Sequence, residues 1–269
     1  MPALEKSVFK SHYEMREPAK SAAAAEATKP SAVDEERCPI CSEDLDVNAD
    51  RFVRSCCYKC VCKRCYESSG GFLCPLCRCP RPEDDEETLM NIRRHVKNDN
   101  VVAMSYLASY YANGKHGLEK SHKKALWLYQ RAASRGDRDA MGRLGWLYYA
   151  GQGVKIDKKK AIEYYRMAAE RGDAPARHNL GCCVRDGDGV VQDYVEAVRL
   201  YRLAADQGYT NAESELGIAY ASGKGVEKDV AEAIRWSERA AAKGHEGAKH
   251  NLVVLRASKL QFDEVTTRE

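Results

Sequence analysis

Within residues 140–169 stand Ala140-Met-Gly-Arg-Leu144-Gly145-Trp-Leu-Tyr148, then Gly151-Gln-Gly153-Val154, then Asp157-Lys-Lys-Lys-Ala161-Ile-Glu-Tyr-Tyr165-Arg-Met-Ala168-Ala169. Apolar and small residues recur three and four apart in both halves, the period of a helix face. The glycine-rich turn between them predicts a helix hairpin. Small residues at Gly145 and the paired alanines allow the two backbones to approach. The same wording returns along the chain: Gly136, Gly172, Gly208 and Gly244 are each 36 residues apart, as are Ala140, Ala176, Ala212 and Ala248. The pairs Ala132–Ala133, Ala168–Ala169, Ala204–Ala205 and Ala240–Ala241 keep that spacing. A period of this size means stacked supersecondary units. The glycine after each second helix suits a left-handed cap.

Four units begin near Val101, Arg138, Ala174 and Asn211. The turn of the first, Asn113 to Leu118, is one residue longer than the others. After Gly247 a single first helix is expected, Ala248 to about Leu260, with residues 261–269 as a disordered tail. A capping helix is expected at the other end, within 83–99, with Pro82 at its start, acids in its first turns and Arg93, Arg94 and Lys97 near its close. That order suits the helix dipole.

The pattern resembles the Sel1-like repeat, a relative of the tetratricopeptide repeat, over roughly residues 100–260. The resemblance implies an α-solenoid whose concave face cradles a peptide or a partner helix. Leu144, Gly145 and Tyr148 mark the buried stripe of one first helix. Trp146, Tyr149, His178, Cys182 and Arg185, offset from that stripe, are the candidate groove residues. Cys182 and Cys183 read as small core residues. His178 and His250 share a register and read as structural, and Lys158–Lys160 as a solvated helix start.

Upstream the composition changes. Residues 1–35 are rich in Ala, Lys, Glu, Ser and Pro and read as a disordered arm. Ten of the chain's 12 cysteines then fall between Cys38 and Cys79. Cys38–Cys41, Cys62–Cys65 and Cys74–Cys77 are CxxC pairs, and a fourth pair must come from Cys56, Cys57 and Cys60. In a reducing compartment this spacing reads as metal ligands, not disulfides. Zinc takes four thiolates or imidazoles in a closed structural site, so eight ligands mean two ions. A segment this short has no sufficient apolar core, and bound zinc contributes about 10–16 kcal/mol to folding such modules.

The order of these cysteines resembles a RING finger, here over residues 36–82. The resemblance implies a cross-brace: Cys38, Cys41, Cys62 and Cys65 on one zinc, Cys74, Cys77 and two of the central three on the other. RING fingers usually carry histidine three residues before the third pair, where this sequence has Lys59. An ammonium group cannot ligate a metal, so all-cysteine variants suggest Cys56 with Cys57, and Cys57 with Cys60 is the alternative. Cys79 reads as a spare thiol. The resemblance further implies that Ile40, Pro75, Leu76 and Arg78 dock a ubiquitin-charged conjugating enzyme and that catalysis is positioning alone. Lys59 and the helix-weakening run Ser68-Ser-Gly-Gly71 depart from that pattern.

The expected fold is therefore mainly α: about four Sel1-like helical hairpins with capping helices, preceded by a small α+β cross-brace zinc finger. A net charge of +3 gives no general reason to expect nucleic acid or membrane as partner. The first ten residues lack the apolar segment of a secretory signal, so cytosol or nucleus is expected. Two functional readings follow. One is a RING-type ubiquitin ligase that recruits substrate through its repeats. The other is a non-catalytic scaffold whose finger is a structural or protein-binding module.

Overall fold

The computed structural model of the chain describes residues 84–266, with side chains to residue 257, and the backbone of two short strands upstream. Strands β1 (Phe52–Val53) and β2 (Cys60–Val61) pair antiparallel, Phe52 opposite Val61 and Val53 opposite Cys60. The expected arm, the other finger residues and the final three residues lie outside the described part.

The rest is helical: α1 (Asp85–Lys97), α2 (Val101–Asn113), α3 (His122–Ala133), α4 (Arg138–Ala150), α5 (Lys158–Glu170), α6 (Ala174–Asp186), α7 (Tyr194–Ala205), α8 (Thr210–Ser222), α9 (Val230–Ala242) and α10 (Glu246–Thr266). The closest packing is within the hairpins α2/α3, α4/α5, α6/α7 and α8/α9. Each hairpin then stacks on the next, and α4 touches α6 as α8 touches α10. None of the described helices is long and apolar enough to cross a membrane.

The boundaries follow from capping chemistry. Asp137 opens α4 by accepting the Ala140 N–H at 3.1 Å, Asp157 opens α5 through Lys160, and Asp173 opens α6 through Ala176 at 2.6 Å. Such caps satisfy donors that a helix start leaves without partners. Gly151 closes α4 at φ +68°, and Gly172, just past α5, sits at φ +83°, in the left-handed region that glycine adopts without strain.

Three details differ from the sequence expectation. Helix α1 starts at Asp85, because Asp84 is its cap and accepts the Glu87 N–H at 2.7 Å; Pro82 lies outside the described residues. The acidic first turn and basic last turn stand as expected. Helix α10 runs to Thr266, past the expected stop at Leu260. After Gly247 the sequence holds no glycine or proline to end it.

The third difference concerns the helical glycines, whose space goes to a side chain. A Cβ on Gly145 would lie 2.5 Å from the Tyr165 ring, and one on Gly181 would lie 2.6 Å from the Tyr201 ring. Within the fourth hairpin backbone does come close, a Cβ on Gly217 lying 3.3 Å from the Ala233 carbonyl oxygen, but the tightest backbone approach is between units. A Cβ on Gly225 would meet the Tyr194 carbonyl oxygen at 2.1 Å, and one on Gly153 the His122 backbone at 2.7 Å. Gly153, Gly189 and Gly225, the second turn glycines of the last three units, thus rest on the start of the previous unit's second helix. The core is one continuous row of these contacts, with Leu144, Tyr148, Tyr165, Leu200, Tyr201 and Leu216 buried along it.

Candidate protein-binding face

The first helix of each unit buries one face against its own second helix and leaves another exposed. On α4, Leu144, Gly145 and Tyr148 are buried as the sequence suggests, while Trp146 is 46% exposed. Trp146 stacks on Tyr149, with ring centroids 6.3 Å apart and planes 24° from parallel. The Tyr149 hydroxyl donates to Asp188 Oδ2 at 2.9 Å, in the turn of the next unit, and Lys158 pairs with the same carboxylate. That bond to Asp188, helped by burial, pushes the Tyr149 phenol up to about 12. Lys158 and Lys159 are exposed, as a solvated helix start should be, and Lys160 lies over the Tyr148 ring at 4.4 Å.

On α6, His178, Cys182 and Arg185 follow at i, i+4 and i+7 and share a face. His178 Nε2 lies 3.6 Å from Cys182 Sγ, and the Tyr201 hydroxyl donates to the same sulfur at 3.5 Å. The His178 ring packs between Tyr201 and Tyr209, at 5.9 and 5.3 Å. Arg185 donates to Asp186 at 2.8 and 3.0 Å and reaches Glu215 Oε2 on α8 at 2.7 Å. The Asp186 bonds hold its guanidinium proton more firmly still. Burial lowers the His178 pKa and raises that of Cys182, so the two stand as imidazole and thiol. Cys183 is buried and pushed up to about 12, consistent with a packing role.

The five candidate residues thus fall into two groups: Trp146 and Tyr149 around Asp188, and His178, Cys182 and Arg185 around Glu215. Glu215, Asn211, His245 and His250 complete the second group and were missed or set aside by sequence reading. They line, with His178, a cleft of about 370 Å³ between α6, α8 and α10. The available signal was register, since Glu215 repeats Asn179 and His250 repeats His178 at whole multiples of the period. A neighbouring cleft of about 370 Å³ is lined by Arg185, Tyr194, Ile218 and Lys224 among others. Aromatic faces beside paired charges offer a polypeptide both apolar contact and hydrogen bonds.

Of the finger candidates, only the backbone of Cys60 is described, in β2. Cys38, Cys41, Cys56, Cys57, Cys62, Cys65, Cys74 and Cys77, with Ile40, Pro75, Leu76 and Arg78, lie outside the described residues.

A solenoid of helix hairpins with a side-chain-rich first-helix face defines a repeat protein of the binding kind. The Sel1 repeat model matches residues 101–137, 138–173, 174–209 and 210–245, over half of the chain, and the chain belongs to that family. The match places the fourth unit at residue 210, one before its expected start at Asn211. Among solved structures, the chain is similar to a protective antigen of uropathogenic Escherichia coli strains that displays an SLR fold. That likeness has 32% identity and a TM-score of 0.60, over 65% of this chain and 37% of that one. It is also similar to a Sel1 repeat protein from Oxalobacter formigenes, at 33% identity and TM-score 0.59, over 62% of this chain and 68% of that one. The chain therefore spans well under half of the first relative's length. No curated protein matches it.

Proposed function

We propose that the protein is a two-part adaptor in which the Sel1 repeats hold a protein and the cysteine-rich segment acts as a RING-type ubiquitin ligase module. The repeats are a protein-interaction scaffold, and that much follows from the family and the face described above. The observation carrying the ligase reading is the order of the cysteines, with three clean CxxC pairs and a central trio, ahead of a binding solenoid. The donor set is all sulfur, which suits closed structural zinc and leaves no position for a catalytic water. Cys38, Cys41, Cys62 and Cys65 would hold one ion; Cys74 and Cys77, with Cys56 and Cys57 or with Cys57 and Cys60, the other. Bound zinc would supply folding energy and shape. The pairing of β1 with β2 supports a compact module, because the chain must reverse between Val53 and Cys60, either side of Cys56 and Cys57 in sequence. Ile40, Pro75, Leu76 and Arg78 would dock the conjugating enzyme, and substrate would sit on the repeats. Thiolate chemistry of this kind belongs in cytosol or nucleus.

The test is ubiquitin chain formation with activating enzyme and a panel of conjugating enzymes. Wild type should build chains with at least one of them, and Ile40→Ala and Arg78→Ala should each reduce the rate at least about tenfold, as loss of docking would. Silence with every conjugating enzyme, or full activity in both variants, would sink the ligase reading. Metal content of about two zinc ions per chain, reduced in Cys56→Ser or Cys60→Ser, then assigns the central ligands.

The second reading, a non-catalytic scaffold, is favoured by Lys59 at the usual histidine position and by Ser68-Ser-Gly-Gly71 in the docking segment. It predicts the same zinc content with no chain formation.

A further inference from the structure

We infer that His178, Cys182 and Glu215 form a second kind of metal site, for a single divalent first-row transition ion such as zinc, on the first-helix face between the third and fourth units. One ligand atom from each residue lies within 4.8 Å of the other two, and all three residues are half-buried. The set is one imidazole, one thiolate and one carboxylate, donors of mixed softness that suit zinc and do not suit calcium or magnesium.

The spacing fits the ion. Zinc bonds of about 2.3 Å to sulfur and about 2.0–2.1 Å to nitrogen, at a tetrahedral angle, put the two donors about 3.6 Å apart. His178 Nε2 and Cys182 Sγ are 3.6 Å apart. They are brought there by an i, i+4 step on α6, which places both side chains on one face.

Each donor also has an orienting partner of the type that metal ligands use. His178 Nδ1 lies 3.1 Å from Asn179 Oδ1; with the proton on Nδ1, donated to that amide oxygen, the Nε2 lone pair is left facing the sulfur. The Tyr201 hydroxyl donates to Cys182 Sγ at 3.5 Å, an arrangement that stabilises a thiolate. Arg185 holds Glu215 through Oε2 at 2.7 Å, so the second carboxylate oxygen is available.

A thiol-to-imidazole hydrogen bond along one helix would explain two of the three residues. The Arg185 ion pair brings Glu215 from α8 to this face, and its carboxylate then comes within 4.8 Å of both other donors. An ion there would tie α6 to α8 and so pin two repeats together. His178 and Glu215 also line the cleft that His245 and His250 share. Water would complete the coordination, because His245, whose Nδ1 accepts the Ala248 N–H at 3.0 Å, is not among the donors within 4.8 Å of one another. Binding releases the Cys182 proton to solvent as the thiolate meets the ion.

The experiment is calorimetric titration of zinc into the full chain, already saturated with any tightly held metal and kept reduced. Wild type should take up one further equivalent and show a rise in thermal midpoint. Cys182→Ser and His178→Gln, both small changes at half-buried positions, should each weaken that event at least about tenfold. Glu215→Gln should weaken it while keeping a polar partner for Arg185. Circular dichroism of the variants checks that the helices persist. No further equivalent in wild type overturns the site, as does an unchanged titration in both Cys182→Ser and His178→Gln. Because the comparison is between chains that differ only in the repeats, its outcome is separate from whether the amino-terminal cysteines hold metal.

Discussion

In the second and third units a tyrosine of the returning helix fills the hollow left by a glycine, Tyr165 against Gly145 and Tyr201 against Gly181, whereas in the fourth the same register sets Ser237 against Gly217. Both tyrosines are almost completely buried. Ser237 is buried as well, but its hydroxyl has no hydrogen-bond partner among the described residues. Nearby, Glu213 is fully buried and satisfied on one oxygen only, by Lys243 at 2.9 Å and Arg239 at 3.1 Å. The caps differ in the same sense. Asp137 and Asp173 cap their helices with carboxylates, while Tyr209 at that register gives α8 no side-chain cap. A repeat protein needs only neighbouring contacts to hold each unit. One unit can therefore give up apolar packing while the stack persists, and here the relaxed unit lies beside the cleft that carries Glu215, His245 and His250.

The largest expected effect tests the well-packed side of this contrast. Tyr165→Ala removes a buried ring seated on glycine and should cost about 3–5 kcal/mol, the range for large aromatic truncations in cores. Urea unfolding followed by circular dichroism would show it as a fall in the midpoint. Because repeat arrays lose cooperativity, midpoints are compared, not extrapolated free energies. An unchanged midpoint would mean that the tyrosine–glycine contact is not what holds the hairpin closed.

The next effect separates the caps. Asp173 is 8% exposed, and burial, with Asp139 nearby, pushes its carboxyl up to about 6 from an ordinary 3.8. A folded pKa above the unfolded one means the native state binds the extra proton. The stabilisation is present below about pH 4 and is lost as pH rises through about 6, by roughly 2–3 kcal/mol. Asp173→Asn keeps a good capping oxygen and cannot ionise. It should match wild type near pH 4 and exceed it by that amount near pH 7, read from urea midpoints at both pH values. Equal stability at pH 7 would show that the buried carboxylate is better solvated or paired than its setting implies.

Much of this was written in the chain. The 36-residue register of Gly136 and its successors gave the units, and helical spacing in Leu144, Gly145 and Tyr148 gave the buried stripe. What register alone could not give was the partner of each glycine. A glycine in a helix signals that something comes close, but whether backbone or ring depends on the second helix's rotation. Glu215 was hidden for a related reason: its partners His178, Cys182 and Arg185 sit on another helix, and only stacking joins them. Helix α10 outruns the single first-helix length expected of a half unit because nothing after Gly247 breaks it. For the zinc ligands the sequence carries nearly everything, since Cys38, Cys41, Cys56, Cys57, Cys62, Cys65, Cys74 and Cys77 lie outside the described residues.

The smallest effect is also the one whose sign decides the comparison. Ser237→Ala removes a buried hydroxyl without a partner and replaces a moderate helix former by the best one. The hydroxyl sits in the hollow over Gly217, where an added Cβ would meet it at 2.6 Å, so its removal leaves only a small void. The variant should be more stable than wild type by about 1 kcal/mol, whereas truncation at the matching Tyr165 destabilises. If Ser237→Ala loses stability instead, the hydroxyl has a partner in solution, such as an ordered water shared with Glu213. The fourth unit would then be packed as closely as the others, and its polar residues would be structural in the same sense as the tyrosines they replace.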